Sequence, residues 1–402
     1  MRLTRVVALM AAVVAVAACQ EKKQEPQQGA GTQPQGQAAA PAAAPAGDKI
    51  LIGHVASMTG NEATFGDSTD KGIRLAVDEA NKAGGVKGKQ LVVKTLDDGG
   101  KPEEAAVAAT RLVTQDGAVV LLGEVASSRS LAMAPIADSN KVPMISPTST
   151  NPRVTKDGDK TRPFVFRVCF IDPFQGTVMA KFSRENLKIT NVAVLRDVGN
   201  DYSVGLANFF AAKFKDLGGK IIADESYKAG DQDFKAQLTA IKNKKPEAIY
   251  VPGYYTDVAL IARQARELGI KVPLMGGDGW DSSKLYEIAK GALDGSYFSN
   301  HYSSEDPSPV IQGFVKKYKD TYGAVPDALA VLGYDAANVA IDAMKKAKDL
   351  TGPSIREGIE QTKGFQGVSG TINLDQDHNA VKSAVVLGIK NNEAHFAATV
   401  NP

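Results

Sequence analysis

Residues that carry chemistry are scarce in this chain: two cysteines, four histidines and one tryptophan among 402 residues. Cys19 stands near the start, which leaves Cys169 alone in the globular part and excludes an intramolecular disulfide there. Cys169 lies in the apolar run from Phe164 to Phe170 and reads as a buried structural thiol. The histidines, His54, His301, His378 and His395, have no metal-ligand spacing. Asp375, Asp377 and Asn379 open like a calcium loop, but Ala380 replaces the required glycine and Val386 the bidentate glutamate, so a turn and no metal are expected. There is no G-x-G-x-x-G after the first strand, no P-loop and no G-x-S-x-G, so neither a cofactor nor a catalytic set is expected. A net charge of +2 gives no pull toward nucleic acid. Binding, not catalysis, is what remains.

What is present begins with an export signal. Arg2 and Arg5 precede an apolar run over residues 6–18, too short for the about 20 residues of a membrane-spanning helix. Val16, Ala17 and Ala18 run directly into Cys19, a pattern that resembles a bacterial lipobox. A signal peptide is therefore expected over residues 1–18, with lipidation on Cys19. Residues 20–48 hold no Ile, Leu, Val or aromatic residue. They cannot bury enough apolar surface to order themselves, so 19–48 is expected to be a disordered, lipid-anchored linker spanning roughly 30 Å.

Residues 49–402 exceed the length at which single cores stop growing, so two domains are expected. Strand patterns at 49–57, 90–97, 118–125 and 142–147 alternate with helical periodicity at 67–83, 102–114 and 128–139. After the run at 164–170 the alternation restarts, with strands at 191–197, 220–227, 248–255 and 273–276. Helices at 174–185, 202–217, 234–244 and 257–268 separate them. Helices at 309–322 and 328–347 then lead to strands at 370–374, 384–390 and 394–400. The fold class is α/β, two doubly wound parallel-sheet lobes joined by a multi-strand hinge. The first lobe is placed at 49–168 plus 300–375 and the second at 169–299 plus 376–402. Hinge strands are expected near 164–170, 295–300 and after Asp375.

Open α/β sheets bind ligands beyond the carboxyl ends of their strands. Ser127 and Ser128 follow one such end and open a helix, as caps or as part of an anion site. Thr148, Ser149 and Thr150 follow another, between Pro147 and Pro152, as a surface turn or as ligand contacts. Tyr202 and Tyr254 stand just past two strands of the second unit, and Asp278 lies between Gly277 and Gly279 after a third. Hydroxyls and helix N–H groups on one side, rings and a carboxylate on the other, are the complement of a zwitterion.

These residues resemble the leucine/isoleucine/valine-binding family of ABC-transporter solute-binding proteins, with the type I periplasmic-binding fold, over nearly all of residues 49–402. The likeness rests on Ser57-Met58-Thr59-Gly60 with Phe65-Gly66-Asp67, on Ala83 to Lys89, on Asp97-Asp98, and on Pro147 to Thr150. Tyr254 ahead of Gln264-Ala265-Arg266, and Phe365 to Asp375, complete it. The resemblance implies that Ser127 and Thr150 hold a ligand carboxylate, and that the Thr148 carbonyl, the Thr150 hydroxyl and Asp278 hold its ammonium. It also implies that Tyr202 and Tyr254 contact the ligand and that Phe65 lines its side-chain pocket; Ala126, beside Ser127, is counted among the ligand-binding positions. Some relatives carry a disulfide where this chain has Gly100 and Ala126. Trp280 beside Asp278 leaves the preferred side chain open. The implied activity is capture of an α-amino acid, branched-chain or otherwise hydrophobic, by hinge closure, and its delivery to a membrane permease. The same fold binding a short amide, urea or an aromatic acid is the alternative. The expected protein is a monomer in the periplasm or on the cell surface, lipid-anchored to a membrane.

Overall fold

The computed structural model describes residues 49–402; the expected signal peptide, the expected lipidation site at Cys19 and the expected linker lie outside the described residues. The first unit alternates β1 (Lys49–Ala56), α1 (Ala63–Lys82), β2 (Gln90–Asp97), α2 (Pro102–Thr114), β3 (Val120–Leu122), α3 (Ser127–Asn140) and β4 (Met144–Ser146). A small hairpin, β5 (Lys156–Asp157) with β6 (Lys160–Thr161), precedes β7 (Val165–Arg167). The sheet runs β2-β1-β3-β4-β7, all parallel. Every residue of β3, β4 and β7 is buried, as befits strands covered on both faces.

The second unit follows as α4 (Asp172–Lys181), β8 (Asn191–Asp197), α5 (Asp201–Asp216), β9 (Lys220–Tyr227), α6 (Lys235–Lys244) and β10 (Ala248–Tyr250). It continues with α7 (Tyr255–Glu267), β11 (Leu274–Gly276), α8 (Ser283–Ala289) and β12 (Tyr297–Asn300). The chain then returns to the first sheet with α9 (Pro309–Tyr322), α10 (Ala328–Lys346), α11 (Gly352–Glu360) and the hairpin β13 (Phe365–Gly367), β14 (Gly370–Ile372). There α10 buries Leu332, Ala336 and Ala340 in one cluster with Ile52 and Val120. Finally β15 (Ala384–Lys390) and β16 (Glu393–Val400) join the second sheet, whose order is β16-β15-β12-β11-β10-β8-β9. That sheet is parallel from β9 to β12, with β15 and β16 added antiparallel at one edge.

Two differences from the sequence reading matter for the cleft. The apolar runs at 118–125 and 248–255 are longer than the strands they contain, which stop at Leu122 and Tyr250. Residues 123–126 and 251–255 stay buried without joining a ladder, because they pack at the cleft base on their way into α3 and α7. The expected hinge strand at 295–300 is a full member of the second sheet, paired with β11 and β15, so the crossing follows Asn300. The chain passes between the sheets three times: after Arg167, after Asn300 and after Ile372. Among the described residues, no helix is long and apolar enough to cross a membrane.

The two units are joined face to face across the cleft. Thr256 Oγ1 donates to the Asn61 carbonyl at 2.6 Å, and Thr64 Oγ1 meets Ser282 Oγ at 2.8 Å. Asp201 accepts from Ser128 Oγ at 3.0 Å and from Arg153 at 2.9 Å, and its carbonyl accepts from Asn151 Nδ2 at 2.8 Å. These bonds define a closed arrangement.

Candidate functional site

Between the units lies a narrow cleft. Six of the eight sequence-derived ligand positions line it: Phe65, Ser127, Thr148, Tyr202, Tyr254 and Asp278. Ala126 and Thr150 stand behind that wall. The N–H of Ala126 donates to Glu124 Oε2 at 2.6 Å, and the Thr150 carbonyl accepts from the Asp172 N–H at 2.9 Å. The sequence reading missed three further lining residues, Val125, Gly279 and Leu329. Leu329 comes from the first turn of α10, far along the chain, and no local pattern marks it.

The first unit supplies hydroxyls whose protons are partly committed. Ser127 does not cap α3: its Oγ accepts from the Asn151 N–H at 3.2 Å, which leaves the O–H free to donate into the cleft. The Thr148 hydroxyl is spent on the Val125 carbonyl at 2.9 Å, so its own carbonyl is the group left for a ligand. The loop holding Thr150 is fixed by Arg167, fully buried, whose Nη1 donates to the carbonyls of Ser149 at 2.6 Å and Asn151 at 2.9 Å. Thr150 Oγ1 is buried beside the Asp172 carboxyl.

The second unit supplies rings and a carboxylate. Tyr202 and Tyr254 stack at 5.3 Å, and Phe65 meets Tyr254 edge-on at 5.5 Å. Tyr202 accepts from the Gly279 N–H at 3.2 Å and keeps its own proton to donate. Asp278 accepts from Gln175 Nε2 at 2.8 Å on one oxygen and meets His301 Nε2 at 2.9 Å on the other. Its flanking glycines are there for space. A Cβ on Gly277 would lie 2.4 Å from the Tyr202 hydroxyl, and one on Gly279 would lie 2.8 Å from the Gly253 carbonyl. Trp280 is core and not pocket: fully buried, it donates Nε1–H to the Val251 carbonyl at 3.0 Å and packs on Phe298.

A second carboxylate waits beside Thr150. Asp172, the first residue of α4, is fully buried, with the Thr150 hydroxyl as its nearest hydrogen-bonding group. Burial pushes its carboxyl up to about 8, with the nearby Asp278 adding to the rise. Among the described residues, no lysine or arginine is ion-paired with Asp278 or Asp172. The sequence signals no role for Asp172 or His301, because both sit on crossings between the sheets and meet their partners from distant segments.

Elsewhere in the first unit a different buried cluster of carboxylates contains its own cation. Arg129 meets Glu124 at 2.9 Å, Glu62 at 2.7 Å and Asp98 at 4.0 Å. Ser57 Oγ donates to Asp98 at 2.8 Å. Burial and the adjacent Glu124 push Asp98 up to about 7, and burial also raises Glu62.

Two sheets crossed three times, with a cleft between them at their strand ends, define the class of two-lobed binding proteins. Residues 49–394 match the family model described as periplasmic binding protein, and the chain belongs to that family, among its Leu/Ile/Val-binding relatives. The Leu/Ile/Val-binding protein BraC3 of Rhizobium johnstonii is 32% identical, over 84% of this chain and 86% of the relative. Among solved structures, the leucine-binding protein LivK of Thermotoga maritima is 45% identical with a TM-score of 0.84, covering 88% of this chain and 99% of that one. The branched-chain amino acid transporter substrate-binding protein LivJ of Streptococcus pneumoniae, solved in complex with isoleucine, is 36% identical. Its TM-score is 0.83, and the match covers 88% of this chain and 100% of that one.

Proposed function

We propose that the protein captures an α-amino acid with an apolar, branched side chain between its lobes and presents it to the permease of an ABC transporter. The lobes are residues 49–168 plus 300–375 and 169–299 plus 376–402. The observation that carries the reading is a surplus of buried carboxylate, Asp278 and Asp172, with no guanidinium or lysine ammonium bonded to either. A buried carboxylate without a counter-charge is costly, which is why Asp172 holds its proton up to about pH 8; a ligand ammonium supplies the counter-charge. Thr150 Oγ1 and the Thr148 carbonyl complete its hydrogen bonding. The Ser127 and Tyr202 hydroxyls, each with a proton left to donate, face the ligand carboxylate. Phe65, Val125 and Leu329 wall the side chain. The relatives named for leucine, isoleucine and valine, and the bound isoleucine in one of them, support the same choice.

A thermal-shift screen over the twenty amino acids, urea, short amides and benzoate tests this reading, since a ligand raises the melting point by mass action. L-leucine, L-isoleucine and L-valine are expected to stabilise the protein. Asp278→Ala is expected to weaken their binding by at least ~2 kcal/mol. Stabilisation by urea, an amide or benzoate, with none by an amino acid, would sink the proposal. We also infer that the mature chain is exported as a monomer and held to a membrane by lipid on Cys19. The short apolar run ending in small residues before Cys19 supports this, and the mass of the mature N-terminal peptide checks it.

A further inference from the structure

His301 has no part in the cleft wall, yet it touches the residue on which the amino-acid reading depends. It is the first residue after β12, on the second crossing between the sheets. Its ring is buried and stacks on Phe170, on the first crossing, with centroids 3.8 Å apart and planes inclined by 20°. Its Nε2 lies 2.9 Å from Asp278 Oδ2. Its Nδ1 is buried and meets no acceptor. That pair of facts selects a protonation state for the closed form. With a proton on Nε2 alone, the ring donates to Asp278 and stays neutral, leaving Nδ1 as an unpaired acceptor. A second proton on Nδ1 would be a buried donor with no acceptor, which costs the full desolvation of that N–H.

We propose that His301 is the positioning residue of Asp278 and a switch on ligand affinity: the neutral ring aims the carboxylate at the ligand ammonium, and the protonated ring takes the carboxylate for itself. The inference rests on the amino-acid reading of the site. Imidazolium and ligand ammonium compete for one buried carboxylate, so binding of one disfavours the other by the same factor. Every charged group around the pair fits this account. Lys382, buried on the third crossing, acts on His301 and opposes its protonation, while Asp278 favours it. Burial is the larger effect and holds the imidazole below its ordinary value. Asp278 in turn is felt by Asp172, Cys169, Asp281 and the Tyr202 and Tyr250 hydroxyls, none of them a cation. Arg167 acts on Asp172 and is bonded to the Thr150 loop. Ligand affinity therefore falls as the pH drops through the His301 titration of the unliganded protein.

The test is calorimetric titration of the full chain with L-leucine between pH 5 and 8, for the wild type and for His301→Gln, whose amide keeps a donor and cannot titrate. Asp172 also sheds a proton on binding an ammonium, so the variant keeps some slope of its own. The wild type is expected to lose affinity more steeply below pH 6.5, by up to about tenfold more per pH unit. It is also expected to release more protons on binding, read from the enthalpy in two buffers. Equal slopes and equal proton release overturn the inference and leave the amino-acid reading standing. Absence of leucine binding to the wild type at every pH overturns both. Nitrogen-15 NMR of the histidine rings gives a second readout that needs no variant: saturating L-leucine is expected to move one of the four titration midpoints down. Four unmoved midpoints overturn the inference.

Discussion

Two buried clusters of carboxylates lie in this molecule, and they are built on opposite plans. Around Arg129, three carboxylates share one guanidinium that never leaves, and Ser57 satisfies a further oxygen. Asp278 lines the cleft with Gln175 and His301 beside it, Asp172 is buried near Thr150, and among the described residues neither is ion-paired with a lysine or arginine, Arg167 acting on Asp172 without pairing with it. Burial raises the Asp98 and Asp172 carboxyls alike, so a raised carboxyl does not by itself separate scaffold from site. What separates them is whether the chain supplies the counter-charge. Where it does, the cluster holds the turn from β3 into α3 in place; where it does not, the cluster is a socket for a cation that arrives from outside.

Removing the fixed cation breaks the comparison most severely. Arg129→Met leaves Glu124 buried, with no positive partner in the chain. The expected loss is about 3–5 kcal/mol of folding stability, the cost of breaking a buried ion pair from one side. Urea denaturation at neutral pH measures it. A loss below about 1 kcal/mol would mean that the Arg129 cluster is also an open one, and the distinction would fail. L-leucine added at saturation is expected to restore part of the melting point by mass action, without replacing the missing guanidinium.

How far each cluster was legible in the sequence follows from how local its signals are. The alternating sheets, and α2, α9, β2, β8, β9 and β15 to the residue, follow from apolar periodicity, which the core enforces along each element. Ser127, Thr148, Tyr202, Tyr254 and Asp278 were found because strand ends point at the cleft. Asp172 and His301 were not. Each owes its place to a crossing between sheets, and the contacts that define it come from distant segments: Thr150 for one, Asp278 and Phe170 for the other. Leu329 reaches the cleft because α10 returns to the first sheet, a fact of topology and not of pattern. Trp280 shows the converse. Next to Asp278 in sequence, it points into the core because Gly276 leaves room for the indole, whose ring would lie 2.1 Å from a Cβ there.

A milder change sharpens the cleft half of the comparison. In the unfolded chain Asp172 titrates near the ordinary value of about 3.9, whereas burial holds it up to about 8 in the folded protein. Between those values the folded state binds one more proton than the unfolded state. Without ligand, stability therefore falls as pH rises from about 4 to about 8, by up to ~1.4 kcal/mol per pH unit from this group. Asp172→Asn removes that slope while keeping the shape of the side chain. The difference in unfolding free energy between variant and wild type, measured in urea, is expected to shift in the variant's favour by at least ~2 kcal/mol between pH 5 and pH 8. With saturating L-leucine the order should reverse at pH 8. The wild type then gains the ammonium its carboxylate was missing, and the amide of the variant offers no charge to meet it. A variant that keeps the full pH slope without ligand would show that Asp172 is not the proton holder. A variant that binds leucine as tightly as the wild type at pH 8 would show that the surplus carboxylate is scaffold after all, and the two clusters would be one kind.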